Sequence, residues 1–211
     1  DRGTLPRPLR SLRFIWPAEI EGSLIYLTSR KDTSQIKANI HLDMVGGGEQ
    51  TKSVFRISGG PMSVPSFVGD VGHEIGHFVN DQTLRYASGE TVDFPLVSRE
   101  GSKNPQLALM EGLSMGSDHD VFNAGSWGIP GIYLHDWPDR YIHTNFDTAA
   151  MIDPTKLKRA AFIAAVQGYY LANFGSQDVS PLLDLLRGNA LQRARSGLHR
   201  LQARNRHRRT W

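Results

Sequence analysis

The residues best suited to catalysis or metal binding are concentrated between Ser114 and Thr148. This stretch reads SMGSDHDVFNAGSWGIPGIYLHDWPDRYIHTNFDT and holds three of the eight histidines of the chain. Its Gly-Ile-Pro and Trp-Pro segments favour turns, which place polar side chains on loops. Loops carried by a rigid scaffold often hold catalytic residues. The stretch is therefore the first candidate for a functional site.

Asp118 and His119 precede an apolar segment of this stretch, and another His-Asp pair follows it. Imidazole and carboxylate groups are common zinc ligands or partners of zinc ligands, so the pattern is compatible with a metal site. A second interpretation is structural. Ser117 would cap a short helix, and Asp118 would lie in its first turn, where a carboxylate meets the positive end of the helix dipole. The residues alone leave both interpretations open.

A second candidate site is the sequence HEIGH, which lies in a helix predicted over residues 66–87. In zincins, two histidines with this spacing bind zinc and the glutamate between them is the general base. His73, Glu74 and His77 would take those roles here. The metzincin continuation is missing, because other residues replace the glycine and the third histidine that it requires. An amphipathic helix that carries the pattern by chance is the preferred interpretation.

Composition limits the classes of protein to consider. The chain has 211 residues, of which 39% are hydrophobic and 21% charged, which suits a globular domain with a sizeable core. It contains no cysteine, so disulfides and thiolate metal sites are excluded. No apolar run approaches the roughly 18 residues of a membrane span, and residues 1–13 hold no signal-peptide-like apolar segment.

The formal net charge of +3 conceals an asymmetry along the chain. Residues 187–211 contain eight arginines and no acidic residue, so the remainder carries a charge of about −5. Such a tail suits nucleic acid or another acidic surface, although a solvated terminus is the more common case. No nucleic-acid-binding motif accompanies the charge, so nucleic acid is not the expected partner.

Apolar periodicity predicts the elements that position these residues. In the second predicted strand, Asn39, His41 and Asp43 alternate with apolar residues and should therefore share one face. Strands alternate with helices along the chain, which predicts an α/β fold with a mixed, mostly parallel sheet sandwiched between helices. The predicted strands cover residues 11–16, 36–44, 53–60, 94–99 and 128–136, and the predicted helices begin near residues 22, 66, 117, 154 and 181.

The two long C-terminal helices are predicted to differ in role. The helix over residues 154–174 begins with Pro154, which suits the first helical position. Its expected packing face consists of Leu157, Ala161, Ala164, Ala165, Tyr169 and Leu171. The helix from Pro181 carries leucines three and four residues apart and then frays into the arginine tail. We therefore expect one domain over residues 1–175 and an amphipathic helix with a basic tail over residues 176–211.

Four linked segments resemble the second half of the co-catalytic di-zinc aminopeptidases, whose relatives include glutamate carboxypeptidase and glutaminyl cyclase. These segments are NIHLDMVG, GSDHDVF, GIPGIYL and YIHTNFDTAAMIDPTKLKR. Their order, their spacing and the final helix match the family over residues 8 to about 174. The resemblance implies a zinc-dependent exopeptidase fold and hydrolysis of peptide substrates by water that two zinc ions activate.

The resemblance also implies roles for single residues. Asp43 and His143 would bind one zinc ion. The family has a glutamate pair after the first strand, in which one member is the general base and the other binds the second zinc. In this chain Glu19 fits the pair but Ile20 replaces its second member, so either Glu19 takes one of the two roles or Glu21 compensates. We expect Glu19 to be the catalytic carboxylate.

Ser117, Asp118 and Asp147 resemble the residues that support the metal site in this family, and His119 would orient them. The family often has a tyrosine before the last histidine as an oxyanion donor. Here Ile142 holds that place, and a tyrosine stands one residue earlier.

The family takes two further ligands, a histidine and a bridging aspartate, from a segment that precedes the first strand. Residues 1–10 contain no histidine. We therefore expect this chain to be the C-terminal portion of a longer metallopeptidase, N-terminally truncated and incomplete as given, whose relatives are often exported. Two alternatives stay open, a mononuclear zincin that uses the HEIGH sequence and a non-catalytic binding domain of the same fold.

Overall fold

The computed structural model describes residues 5–208, although not the side chains of residue 200 and of residues 203–208. The chain forms two compact units, Asp1–Asn173 and Phe174–Trp211. Among the described residues, no helix is long and apolar enough to span a membrane.

The first unit contains four strands and four α-helices. In chain order these are α1 (Glu21–Thr28), β1 (Asn39–Leu42), β2 (Phe55–Gly59), α2 (Val68–Ala87), β3 (Leu109–Leu113), α3 (His119–Asn123), β4 (Gly131–Asp136) and α4 (Pro154–Asn173). The second unit contains a short 3₁₀ turn, Ser176–Asp178, and the long helix α5 (Val179–Arg208). The helix predicted from Pro181 therefore begins two residues earlier, and it continues as far as Arg208 instead of fraying.

The four strands form one sheet in the order β1-β4-β2-β3. β1 is parallel to β4 and β2 is parallel to β3, whereas β4 and β2 are antiparallel. The predicted α/β class with a mixed, mostly parallel sheet between helices is therefore confirmed.

The two faces of the sheet differ in polarity because side chains alternate along a strand. Ile57, Ile132 and Leu134 form the centre of the main core and are almost fully buried. Val68 and Val79 of α2, with Ala160 and Ile163 of α4, belong to the same apolar cluster. The opposite face carries His41, Tyr133 and His135, and α3 lies against it at β1 and β4. The polar face is therefore the one on which a site can be built.

Two glycines let α2 lie close to the apolar face. A Cβ atom at Gly72 would lie 3.0 Å from Cδ1 of Ile132, and one at Gly76 would lie 2.5 Å from Cδ1 of Ile57. Glycine permits this approach because it has no side chain to displace. Gly76 is the glycine of the HEIGH sequence, so part of that pattern serves helix packing.

Two of the predicted strands are wrong, and one strand was not predicted. Residues 11–16 form no strand, and Phe14 and Trp16 are 74% and 88% exposed. Residues 94–99 also form no strand. β3 was not predicted because it is an edge strand with mostly exposed residues and an internal glycine, and therefore lacks a clear alternation.

The predicted packing face of α4 is only partly correct, since Ala164 and Leu171 pack against the main core. Leu157 is 42% exposed, whereas the buried residues are Thr155, Arg159, Ala160, Ile163, Gln167, Gly168 and Ala172. Polar members of this set can be buried because they find backbone partners. Arg159 donates to the carbonyl of Leu96 at 3.2 Å, and Gln167 donates to the carbonyl of Val68 at 2.8 Å. Apolar character alone therefore identified only part of the buried face of the helix.

Candidate active site

Asp43 follows the last residue of β1, at the edge of the sheet where the carboxyl ends of β1 and β4 meet. In open α/β sheets this edge is the usual place for ligands. Oδ2 of Asp43 accepts a hydrogen bond of 2.8 Å from Oγ of Ser117 and a longer one of 3.4 Å from the hydroxyl of Tyr133. Nε2 of His41 lies 2.9 Å from Oγ of Ser117. The predicted shared face of His41 and Asp43 is therefore confirmed.

The directions of these hydrogen bonds assign the tautomer of His41. The single hydroxyl proton of Ser117 is donated to Asp43, so Nε2 of His41 must be the donor to Ser117. Burial lowers the pKa of His41, with a further lowering from His119, and the neutral ring is favoured. His41 and Ser117 thus hold Oδ2 of Asp43 in place, which leaves Oδ1 as the atom available to a ligand.

Tyr133 lies at the centre of a stack of rings on the polar face. His135 is 4.0 Å from it between ring centroids, His119 is 4.2 Å away, and His41 is 5.0 Å away. Burial raises the pKa of Tyr133, and the negative charges of Asp43 and Glu19 raise it further. The hydroxyl therefore stays protonated and serves as a donor.

A second polar group lies beside this stack, between β4, β2 and β3. Oγ of Ser58 donates to Glu111 at 2.9 Å and lies 3.0 Å from Nε2 of His135. Arg56 forms a 2.6 Å ion pair with the other oxygen of Glu111. Burial lowers the pKa of His135, although Glu111 opposes this effect. Ser58, Glu111 and Arg56 therefore hold a neutral His135 within the stack.

The loop that carries Glu19 is attached to Asp118. The amide of Ile20 donates a 2.8 Å hydrogen bond to Oδ1 of Asp118, a residue that is itself buried. Glu19 is exposed, and its negative charge contributes, after burial and Asp43, to the raised pKa of Tyr133. The tertiary structure thus brings Glu19, Asp118, Ser117 and Asp43 into one region.

Ser117 does not cap α3, so the structural interpretation of this residue is wrong. Asp118 holds the N-cap position of the five-residue helix, and no side chain makes a capping hydrogen bond. Both side chains bind other segments instead, Ser117 at Asp43 and Asp118 at Ile20. The short helix is therefore positioned by tertiary contacts.

His119 is almost completely buried, with an exposure of 1%. Its Nε2 donates to the carbonyl of Ser114 at 2.7 Å. Within the part of the chain that the structure describes, Nδ1 has no hydrogen-bond partner. His119 thus contacts the site through its stacking on Tyr133.

His143 and Asp147 lie on the loop between β4 and α4, and both are exposed. Asp147 lines a cleft of about 140 Å³ together with Met44, Val45 and Ile142. Met44 follows Asp43 in the sequence and Ile142 precedes His143, so a sequence neighbour of each predicted zinc ligand lines the cleft.

Three backbone outliers occur at or beside the predicted functional residues. Ile20, Met44 and His143 have φ values of 63°, 54° and 59°. Left-handed backbone is uncommon for residues other than glycine, and for a β-branched residue it is a true outlier. Such strain is concentrated at functional sites in proteins generally. These left-handed residues thus lie beside Glu19, beside Asp43 and at His143 itself, the positions predicted to be functional.

Comparison with known proteins decides the family. The family model described as peptidase family M28 matches residues 5–167. The chain belongs to peptidase family M28. This is the co-catalytic zinc aminopeptidase family, so the resemblance seen in the four segments is confirmed. A search of curated proteins gave no match.

The M28 chain is also similar to a solved structure, an aminopeptidase from Aneurinibacillus sp. strain AM-1. The two share 23% sequence identity over 72% of this chain, with a TM-score of 0.46. The match covers 30% of the aminopeptidase, so the M28 chain spans less than a third of the length of that protein.

The HEIGH sequence of the M28 chain forms no zincin site among the residues that the structure describes. Nε2 of His73 donates to the carbonyl of Ile57 at 3.0 Å, which attaches α2 to β2. Glu74 and His77 are exposed. Across residues 5–208, no three His, Cys, Asp or Glu side chains that could hold a metal ion are grouped together. His73 therefore serves the packing of the fold.

Sequence reasoning missed several residues of this region. They are Tyr133, Ser58, Glu111 and Arg56, whereas His135 belongs to the His-Asp pair that follows the apolar segment. The period-two register of β4 would have placed Tyr133 and His135 on one face, because they are two residues apart. The other three could be found only from the pairing of β2 with β3 and β4.

Proposed function

We propose that residues 5–167 form part of the catalytic domain of a zinc-dependent, aminopeptidase-like exopeptidase that hydrolyses peptide substrates. The observation that carries the proposal is the match to the M28 family together with the fixed carboxylate of Asp43 at the sheet edge. The family is typically zinc-dependent, and an exopeptidase acts on the end of a peptide.

The proposed zinc site combines a residue that follows β1 with one from the loop between β4 and α4. Catalytic zinc in peptidases usually takes three protein ligands and a water molecule. The described residues do not bring three such side chains together, so they do not form a complete zinc site by themselves. We propose Asp43, through Oδ1, and His143 as two of the ligands of one zinc ion. The left-handed backbone at Met44 and His143 supports this choice.

Glu19 is the proposed catalytic carboxylate that transfers a proton from water to the leaving amine. Its exposure leaves it accessible to substrate, and its charge contributes to the raised pKa of Tyr133 beside Asp43. Asp118 is proposed to position it, because the hydrogen bond from Ile20 fixes the adjacent backbone. Ser117 would orient Asp43, His119 would support the ring stack, and Asp147 would shape the cleft near His143.

The test is the zinc content of the purified chain after dialysis, by elemental analysis, in the wild type and in Asp43→Asn, His143→Ala and His73→Ala. Circular dichroism would establish that each variant is folded. We expect the Asp43 and His143 variants to retain at least about tenfold less zinc than the wild type, whereas His73→Ala should retain it.

Two outcomes would contradict the proposal. Loss of zinc only in His73→Ala would establish the zincin alternative. Retention of zinc at the wild-type level in both Asp43→Asn and His143→Ala would contradict their assignment as ligands. The role of Glu19 is tested separately with an aminoacyl p-nitroanilide, where Glu19→Gln should lower hydrolysis by about 10²-fold or more and leave zinc content unchanged.

A further inference from the structure

The cleft beside the proposed zinc ligands lies between two loops that backbone hydrogen bonds join. The amide of Arg140 donates to the carbonyl of Thr51 at 2.9 Å, and the amide of Gly48 donates to the carbonyl of Met151 at 2.7 Å. Thr51 and Met151 both line the cleft, which has a volume of about 140 Å³. Pockets for whole small molecules usually have about 300–1,000 Å³. This cleft therefore suits a single side chain.

The lining of the cleft combines an apolar wall with two carboxylates. The apolar residues are Met44, Val45, Ile142, Met151 and Ile152, and the acidic residues are Asp139 and Asp147. None of the described residues that line the cleft is basic. Two basic side chains on the neighbouring segment have other partners. The guanidinium of Arg140 lies 5.9 Å from the ring centroid of Tyr141, and Lys156 pairs with Asp136 at 2.5 Å.

The two carboxylates of the cleft can accept further hydrogen bonds. Oδ1 of Asp139 accepts from the amide of Tyr141 at 2.7 Å, and a carboxylate has about four lone-pair sites on its two oxygens. Asp147 is exposed. In the part of the chain that the structure describes, neither aspartate forms an ion pair. No third His, Asp or Glu side chain among those residues joins them to form a metal site, so a metal ion is not the favoured occupant.

The chemistry of the lining decides which side chain fits the cleft. A lysine or arginine side chain has an aliphatic stem that packs along apolar residues and a cationic tip that can meet a carboxylate. A leucine or methionine side chain would cover the apolar wall but would displace water from Asp139 without replacing its hydrogen bonds. The two aspartates would repel a glutamate side chain. A basic side chain therefore satisfies both parts of the lining.

The position of the cleft indicates which residue of a substrate supplies this side chain. Met44 follows Asp43, and Ile142 precedes His143. In an aminopeptidase reaction the attacked carbonyl belongs to the N-terminal residue of the peptide, whose side chain branches from the adjacent carbon atom. We propose that the cleft binds the side chain of an N-terminal lysine or arginine and that Asp139 and Asp147 determine this specificity. The inference rests on the proposed peptidase function, which places the reacting carbonyl beside the predicted zinc ligands.

The first test is NMR titration of the whole chain with lysinamide and with norleucinamide, whose side chain has the same carbon atoms but no ammonium group. We expect lysinamide to bind about tenfold more tightly at low salt, because two ion pairs of modest strength are open to it. High salt should reduce the preference, since it screens partly exposed charges. Asp139→Asn/Asp147→Asn should remove most of the preference. Asparagine at position 139 keeps an oxygen that can accept from the amide of Tyr141 but carries no charge.

The matched control for this variant is Asp93→Asn/Glu100→Gln. It also removes two negative charges, at exposed positions outside the lining of the cleft, and it should keep the preference for lysinamide. Circular dichroism would establish that both double variants are folded.

The second test compares the hydrolysis of lysyl and norleucyl p-nitroanilides by the chain after incubation with zinc. The kcat/KM values should favour the lysyl substrate about tenfold in the wild type and in the control. The ratio should fall toward one in Asp139→Asn/Asp147→Asn. A merely structural role of the two aspartates would lower both kcat/KM values without changing their ratio.

Several results would overturn the inference. They are equal binding of the two amides, tighter binding of norleucinamide, and a preference for lysinamide that survives the Asp139→Asn/Asp147→Asn substitutions. The absence of chemical-shift changes at the cleft, up to the solubility limit of both amides, would also exclude a side-chain site there.

Failure of the peptidase function is distinguishable from failure of the cleft inference. Hydrolysis of neither anilide, with the binding preference for lysinamide intact, would contradict the peptidase function and leave the site for a basic side chain in place. Hydrolysis that favours the norleucyl substrate would support the peptidase function and overturn the specificity.

Discussion

Ser117 donates a 2.8 Å hydrogen bond to Oδ2 of Asp43 from a position 74 residues away in the sequence. The same hydroxyl accepts from His41 at 2.9 Å, so one buried serine connects β1 with the segment before α3. The orientation of the Asp43 carboxylate therefore depends on a tertiary contact, and substitution of Ser117 tests this dependence.

Ser117→Ala should lower both stability and zinc retention. The substitution leaves Nε2 of His41 without its partner and Oδ2 of Asp43 with only the longer hydrogen bond from Tyr133, and an unmade hydrogen bond in a part-buried region typically costs about 1–3 kcal/mol. Loss of a group that orients a metal ligand typically weakens metal binding about 10–100-fold. Urea unfolding and zinc titration would measure the two effects. Ser126→Ala, at an exposed serine, is the control, and equal behaviour of the two variants would contradict the assigned role.

Asp136→Ala should destabilise the chain by about 3–5 kcal/mol, because it removes one partner of a buried ion pair. Asp136 is 0% exposed, accepts from the amides of Gly46 and Gly47 at 2.8 and 2.9 Å, and pairs with Lys156 at 2.5 Å. The comparison is Asp184→Ala, whose carboxylate is 71% exposed in its pair with Arg187. Exposed pairs contribute about 0–1 kcal/mol. Similar midpoints of thermal unfolding for the two variants would refute this reasoning.

Gly101→Ala should destabilise the start of α4. A Cβ atom there would collide with the backbone nitrogen and Oγ1 of Thr155 and would lie 2.7 Å from Oδ1 of Asp153. Because backbone cannot move aside as a flexible side chain can, we expect a loss of about 1–3 kcal/mol. Gly125→Ala is the control, since nothing lies within 4 Å of its added Cβ. Chemical unfolding of both variants is the measurement, and an unchanged midpoint for Gly101→Ala would be inconsistent with the close contact.

The stability of the fold should decrease as the pH falls below about 6.5, and His135 should contribute to the decrease. Burial lowers the pKa of His135, and Arg56 and His119 lower it further, while Glu111 and Asp136 oppose the shift. The imidazole of His135 therefore stays neutral in the native state at a pH where the same side chain already binds a proton in the unfolded chain. The stabilisation is complete above the unfolded pKa of about 6.5 and is lost as the pH falls toward the lower native pKa.

The measurement for His135 is the free energy of unfolding between pH 8 and pH 5 in the wild type and in His135→Gln. One histidine can contribute a slope of at most about 1.4 kcal/mol per pH unit. The variant should be less stable at pH 8 and should show a smaller pH slope. An identical slope in both proteins would show that His135 titrates alike in the folded and unfolded states.

Hydrophobic periodicity and helix start signals were sufficient to predict the helices and strands in which these signals are strong. α1, α2, α4, β2 and β4 were predicted from such signals and are present. The period-two alternation before Asp43 also placed His41 and Asp43 on one face correctly. Residues 11–16 have an equally apolar sequence but form no strand, because a strand also requires a neighbour to receive its hydrogen bonds.

The sequence by itself determined the α/β class, the family and the candidate residues Glu19, Asp43 and His143, because these depend on periodicity and on motifs that are short and continuous. The tertiary structure alone decided that Ser117 serves Asp43 instead of capping a helix and that Tyr133 completes the contact. It also assigned His73 to packing. The reason is physical: hydrogen-bond partners separated by many residues are chosen by how strands and helices pack, and no local pattern contains that information.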